Sequence, residues 1–298
     1  MPPVKKPRGE VTRGTTAPNR LRRVDRWITA TQTGPLRSAP ARRAQPGRDT
    51  APLAVDLGYG ASPITTFELF TRLRAVSPRL EVAGIEIDPG RVAAGLDFLA
   101  ALRASDAGRG AESRRDDDPY GGLTFLRGGF ELPVERPPVL IRAFNVLRQY
   151  DEPAAWRAWD ELRARLDPAG VLVEGTCDEI GRRAVWVTLT PGGPRTITFA
   201  AHLPTLDRPS ALAERLPKTL IHRNVPGEPV HDLLVAFDRC WAAAAPHSAF
   251  GPRARWIEAV TLLARTHPVL ARPPYGGRHR WRLGELTLPW TAVAPRPR

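Results

Sequence analysis

LAVDLGYGASP, residues 53–63, and IEIDPGRV, residues 85–92, are the stretch on which the fold turns. The first sets a short apolar run directly before Asp56, Gly58 and Gly60, and a helical pattern starts soon after. Two glycines let the chain turn sharply and bring its backbone against a ligand with no Cβ in the way, while the helix that follows offers unpaired N–H groups. The second run is another apolar strand, one βα unit on, that ends in Gly84, Ile85, Glu86, Ile87, Asp88 and Pro89. It sets a carboxylate at the carboxyl end of the neighbouring strand, where it can accept both hydrogen bonds of a ribose diol. A nucleotide or nucleoside fits such a pair.

Outward from this pair, short apolar runs alternate with longer amphipathic ones. That is the mark of βα units around a parallel sheet buried on both faces. Strands are expected at 53–57, 81–86, 123–127, 139–145 and 170–175, and helices near 63–76, 90–104 and 153–166. SDAGRGAESRRDDDPYG, 105–121, reads as an exposed loop. AVWVTL at 184–189 and RTITFAAHL at 195–203 flank Pro191, Gly192, Gly193 and Pro194 and predict an antiparallel hairpin. Farther on, 212–216, 232–245 and 255–264 look helical, and RWRLGELTLPW at 280–290 alternates like a strand. Ahead of the fold, 1–18 reads as a tail, 19–31 as a short basic amphipathic helix and 33–50 as a linker.

With both motifs in order, the sequence resembles the class I S-adenosylmethionine-dependent methyltransferases. The resemblance implies a doubly wound, Rossmann-like α/β fold with a seven-stranded sheet and a closing antiparallel hairpin over 52–203. A basic segment, 1–51, precedes it, and a mostly helical extension, 204–298, completes the substrate side. VDLGYG is similar to the family's first motif, whose acid and glycines surround the methionine part of S-adenosyl-L-methionine. This assigns Asp56, Gly58, Tyr59 and Gly60 to the cofactor. IEIDPGRV resembles the second motif, which implies Glu86 on the ribose hydroxyls with Ile87 beside it. LTFLRGGFELP, 123–133, is similar to the adenine-cradling third motif, but Gly129 stands where an acid often pairs with the adenine amino group, so that contact passes to the Phe130 backbone or elsewhere. AFNVLRQY, 143–150, resembles the fourth motif, which adds Asn145 to the cofactor set. It lacks the Asn/Asp-Pro-Pro-Tyr/Phe signature of enzymes that methylate nucleobase amino groups. ARLDPAGVLVEGT, 164–176, resembles the helix, turn and fifth strand that follow.

Rival readings differ in cofactor or class. A dinucleotide oxidoreductase prefers GxGxxG, and Pro63 stands where its third glycine is needed for close helix packing. Aminopropyl transfer on the same fold would need an acidic pair in the fourth motif, which is missing. A nucleic-acid-binding protein on a degenerate methyltransferase fold draws on the charge distribution. Residues 1–50 hold 12 basic and 3 acidic side chains, 272–298 hold 6 and 1, and the stretch between holds 26 and 27. Basic ends on a near-neutral centre suit an anionic partner such as RNA, or are solvated tails.

Composition excludes other classes. With 42% hydrophobic and 25% charged residues the chain is neither disordered nor a membrane protein in type, and no apolar run nears the roughly 20 residues that span a bilayer. Cys177 and Cys240 lie far apart, without zinc spacing, so no metal or disulfide framework is expected. The N-terminus lacks a secretory pattern, which points to the cytoplasm.

Methyl transfer from a sulfonium has a good leaving group, so positioning and desolvation suffice and no catalytic residue is assigned. Arg148, Gln149 and Tyr150 fall at the carboxyl end of the fourth strand, where ligands of open α/β sheets gather, and are the candidate substrate contacts. RGTTAPNRLRR, 13–23, either closes over the cofactor, clamps an acidic substrate or is a solvated helix. Lys218, His222 and Arg223 form a basic edge to the cleft or plain surface, and Trp156 and Trp159 read as packing residues.

Overall fold

Five of the apolar runs form a parallel sheet: β1 (Leu53–Leu57), β2 (Glu81–Glu86), β3 (Leu123–Arg127), β4 (Leu140–Phe144) and β5 (Val171–Cys177). Every residue of β1, β4 and β5 is buried, as expected for strands covered on both faces. The structure, a computed structural model, describes residues 7–12, 16–37, 51–107 and 118–297. Most of the expected linker, 38–50, the centre of the expected loop, 108–117, and parts of the tail, 1–6 and 13–15, lie outside the described residues.

The helices are α1 (Arg22–Thr31), α2 (Thr33–Arg37), α3 (Ile64–Arg74), α4 (Pro89–Ala107), α5 (Glu152–Ala164), α6 (Lys218–Ile221), α7 (Pro229–Ala243), α8 (Pro252–Leu263) and α9 (Arg278–Trp281). Four of these differ from expectation, α6 among them, since no helix is expected at 218–221. The first residues of the linker form α2, whose Leu36 is fully buried. Helix α4 runs on to Ala107, into the stretch read as loop. Residues 278–281 are helical, which shortens the last strand to β8 (Glu285–Pro289). A 3-10 helix, Pro209–Arg215, stands near the helix expected at 212–216.

The hairpin forms as β6 (Arg183–Thr190) and β7 (Gly193–Ala201), and the sheet order is β3-β2-β1-β4-β5-β6-β7-β8, antiparallel from β6 onward. The sheet thus has eight strands rather than seven. Strand β8 comes from the C-terminal extension and pairs along β7, with Leu286 and Leu288 buried and Thr198 Oγ1 2.9 Å from Thr287 Oγ1. Left uncovered, β7 would present a row of unpaired backbone groups at the sheet edge.

Two apolar clusters sandwich the sheet. One gathers Trp159 of α5 with Phe237, Trp241 and Trp256 of α7 and α8; the other gathers Trp27 and Ile28 of α1 with Leu69 and Leu73 of α3. Helix α1 is therefore a packed element, with Arg22 and Arg26 on its exposed side. The chain leaves β1 toward β2 and β3 on one side and returns to β4 and β5 on the other. The resulting switch point opens a crevice at the carboxyl ends of β1 and β4.

Candidate functional site

The turn after β1 has the shape its glycines predict. Gly58 and Gly60 have φ of 67° and 85°, and a Cβ on Gly58 would lie 2.8 Å from Val146 Cγ2. Both features exclude a larger residue at no steric cost to glycine. Glu86, 1% exposed, closes the turn from β2. Its Oε2 accepts the Gly60 N–H at 2.9 Å, its Oε1 accepts the Ile87 N–H at 2.9 Å, and Arg91 Nη1 stands 3.4 Å away. Tyr59 lines the cavity at Gly58, while its hydroxyl donates to the Arg91 carbonyl and its ring packs edge-on against Phe125. At the end of β4, Asn145 adopts φ 60° and its Oδ1 accepts the Cys177 N–H at 3.0 Å, tying the ends of β4 and β5 together.

Asp56 is committed to the interior. Its two oxygens accept from Arg142 Nε and Nη2 at 2.9 and 2.7 Å, and Oδ2 also accepts from Thr66. Arg142, its register partner on β4, donates as well to Asp25 of α1, which Arg72 of α3 holds at 2.6 Å from the other side. Arg142 and Asp25 have no solvent exposure and Asp56 has 2%. Burial works against the Arg142 charge, but Asp25 and Asp56 overcome it and hold the guanidinium above its ordinary value. This buried network pins α1 and α3 under the glycine turn. The sequence signal was present: a lone Asp and a lone Arg inside otherwise apolar strands each require a partner.

Residues 8–12, read as tail, thread the crevice. The Arg8 carbonyl accepts the Phe130 N–H at 3.0 Å, and the Arg8 N–H donates to Glu131, which also accepts the Gly129 N–H. A Cβ on Gly129 would collide with the Arg8 carbonyl, so this glycine admits the segment's backbone. Gly9, at φ 135°, lies among Tyr150, Ile87 and Phe130. The Glu10 N–H donates to the Tyr150 hydroxyl, and its carbonyl accepts from Gln149 Nε2 at 3.0 Å. Arg91 donates to the Thr12 carbonyl and hydroxyl at 2.9 and 3.0 Å. What remains open at Gly58 and at Gly129 is two cavities of about 40 and 20 Å³. Sequence reasoning missed Arg91, Glu131 and this whole segment, because nothing in a short polar stretch without periodicity says where it docks.

The structure therefore brings together Gly58, Gly60, Glu86, Ile87, Gly129, Phe130 and Tyr150 around one segment of backbone, with Asn145 lining the cavity on the Gly58 side. Gln149 reaches the same segment, while Arg148 is exposed. Of the two readings of Lys218, His222 and Arg223, a basic edge to the cleft or plain surface, the positions of these side chains favour the second. Arg223 is consumed by Glu152 and Glu228 at 2.7 and 3.2 Å, and neither Lys218 nor His222 lines the crevice. Among the described residues no helix is long and apolar enough to cross a membrane.

No family model and no curated protein matches this chain. Its fold is similar to those of solved methyltransferases. The mitomycin 7-O-methyltransferase shares 19% identity over 43% of this chain and 31% of its own, at a TM-score of 0.31. An O-methyltransferase from neocarzinostatin biosynthesis, in complex with S-adenosyl-L-homocysteine, shares 17% over 42% and 34%, at 0.30. The N,N-8-amino-8-demethyl-D-riboflavin dimethyltransferase from Streptomyces davawensis shares 13% over 42% and 32%, at 0.31. The similarity spans about a third of each of those chains. It is too loose to bear on the reaction, and the strand order and the turn carry the reading instead.

Proposed function

We propose that this chain is a cytoplasmic S-adenosylmethionine-dependent methyltransferase acting on an acceptor that is a small molecule, an RNA or a protein. In this reading 52–203 carries the cofactor, while 1–51 and 204–298 build the acceptor side. The observation that supports it is the two-glycine turn at the switch point with Glu86 set against it from the next strand.

The donors and acceptors of the crevice suit a nucleoside. Gly58 and Gly60 present bare backbone to the methionine part, Glu86 offers carboxylate oxygens to ribose hydroxyls, and Ile87 and Phe130 flank the place for adenine, with the Phe130 N–H as its polar contact. That N–H is held here by a carbonyl of the chain itself. The open space is far below the roughly 300–1,000 Å³ of small-molecule sites, so residues 8–12 must withdraw for a nucleoside to bind. Asp56 then acts through Arg142 and Thr66, positioning the turn. Bound, S-adenosylmethionine supplies an electrophilic methyl group on a good leaving group. The chain's part is to orient the acceptor and exclude water, with Asn145 and Tyr150 at the crevice rim. The nucleic-acid alternative draws on the basic residues of 1–50 and 272–298, of which Lys5, Lys6, Arg13, Arg42, Arg43, Arg48 and Arg298 lie outside the described residues.

Titration calorimetry with S-adenosylhomocysteine on the full chain tests this. Micromolar-range binding is expected, abolished by Gly58→Arg and weakened about tenfold or more by Glu86→Ala, which removes a charged acceptor. Absence of both heat and thermal shift with S-adenosylhomocysteine and S-adenosylmethionine sinks the proposal.

A further inference from the structure

A cavity larger than those of the crevice lies elsewhere in the described residues. It measures about 650 Å³ and lies past α1, at the ends of β7 and β8 that share the carboxyl edge of the sheet. It shares no lining residue with the cavities at Gly58 and Gly129. Its size falls within the range of about 300–1,000 Å³ typical of small-molecule sites.

Its charge is one-sided. Arg22, Arg23 and Arg26 face it from α1, Arg253 from the start of α8 and Arg282 from the turn before β8. The one carboxylate among the described residues of the lining, Glu285, is buried and already held by Arg280 at 3.1 Å. Among the described residues Arg22, Arg26, Arg253 and Arg282 have no side-chain partner, and Arg23 has its Nε buried without one although its Nη1 donates to the Leu283 carbonyl. Like charges gathered around a concave space repel one another and focus a positive potential, which an anion relieves. Guanidinium forks suit planar carboxylates and phosphates, which they bind in pairs of hydrogen bonds. The mouth is apolar as well: Phe250 is 82% exposed and Leu283 51%, beside Pro204 and Pro252. A Phe ring left this open is an anchor for a flat apolar group.

We propose that this cavity is a ligand site for a small molecule that bears a carboxylate or phosphate on an aromatic body, its anion among the arginines and its ring against Phe250. The site holds whether or not the glycine turn binds a nucleoside. It also explains the one-sided arginines of α1, whose other face is core.

Calorimetry with phenyl phosphate, benzoate, inorganic phosphate and benzyl alcohol tests it on the full chain. Phenyl phosphate or benzoate is expected to bind one to one, the tighter of the two naming the head group, with inorganic phosphate weaker and benzyl alcohol silent. Arg253→Glu/Arg282→Glu and, from the opposite wall, Arg22→Glu/Arg26→Glu each weaken binding about tenfold or more. These side chains are exposed and unpaired, so folding, read by circular dichroism, is retained. Glu86→Ala leaves binding unchanged, which separates this site from the crevice. The proposal is overturned by absence of saturable binding of both aromatic anions, by equal binding of benzyl alcohol, by affinity undiminished in both double variants, or by a single-stranded oligouridylate that binds instead and excludes them.

Discussion

Arg142 shows how much one side chain carries. It sits in the middle of a parallel strand without solvent exposure and ties three segments, through Asp25, Asp56 and the Thr65 carbonyl. Replacing it with leucine leaves buried Asp25 with Arg72 and buried Asp56 with Thr66 as their remaining side-chain partners, and a broken buried pair of this kind costs about 3–5 kcal/mol. Urea unfolding of Arg142→Leu is expected to show that loss, while Arg72→Ala, at the partly exposed end of the network, loses less. A shift below about 1 kcal/mol for Arg142→Leu would mean that the carboxylates find water or protons at little cost. Asp56 was legible in the sequence as a residue of the turn. Its use was not, because the partner stands 86 residues away and is met only through the register of β1 with β4.

At the scale of an element, residues 8–12 decide what the crevice can hold. They have no secondary structure of their own, yet they satisfy Phe130, Glu131, Gln149, Tyr150 and Arg91. Each such hydrogen bond is worth roughly 1 kcal/mol net, and the segment also gives up freedom in docking. Its hold is therefore real but displaceable. Deleting residues 1–10 is expected to tighten S-adenosylhomocysteine about tenfold or more, since the ligand no longer competes with the chain for the same N–H groups. The readout is the calorimetric Kd against the full chain, with the melting temperature as control for folding. Equal or weaker affinity would show that the segment folds over the nucleoside instead. Helix α1 gives the contrasting lesson: its spacing of Leu21, Val24, Trp27 and Ile28 was visible, and the structure buries all four.

Glu174 carries a property of the whole molecule. It lies on β5, wholly buried, with Trp159 Nε1 donating to one oxygen at 3.1 Å and, among the described residues, no partner for the other. Burial pushes its carboxyl from an ordinary 4.5 up to about 8. The folded state thus keeps a proton that the unfolded chain releases near its ordinary value. The contribution of this group to stability is full below about 4.5, falls as pH rises toward 8 at roughly 1 kcal/mol per pH unit, and levels off above. Glu174→Gln keeps an acceptor for Trp159 and does not titrate, so its stability between pH 5 and 8 is expected to be flatter than that of the unsubstituted chain. Parallel pH profiles for the two proteins in chemical denaturation would refute this account.

The sequence by itself determined the elements and the class of the fold: buried parallel strands from continuous apolar runs, helices from their period, and the glycine turn with its facing acid from local geometry. These are short-range properties, set within one βα unit by steric limits and burial. Only the tertiary structure decided that an eighth strand from residues 285–289 closes the sheet, that Asp56 serves Arg142, that residues 8–12 fill the crevice, and that arginines from α1, α8 and the turn before β8 surround one cavity. Each of those joins residues far apart in the chain, and their pairing is fixed by packing and charge compensation in three dimensions, which no local pattern encodes.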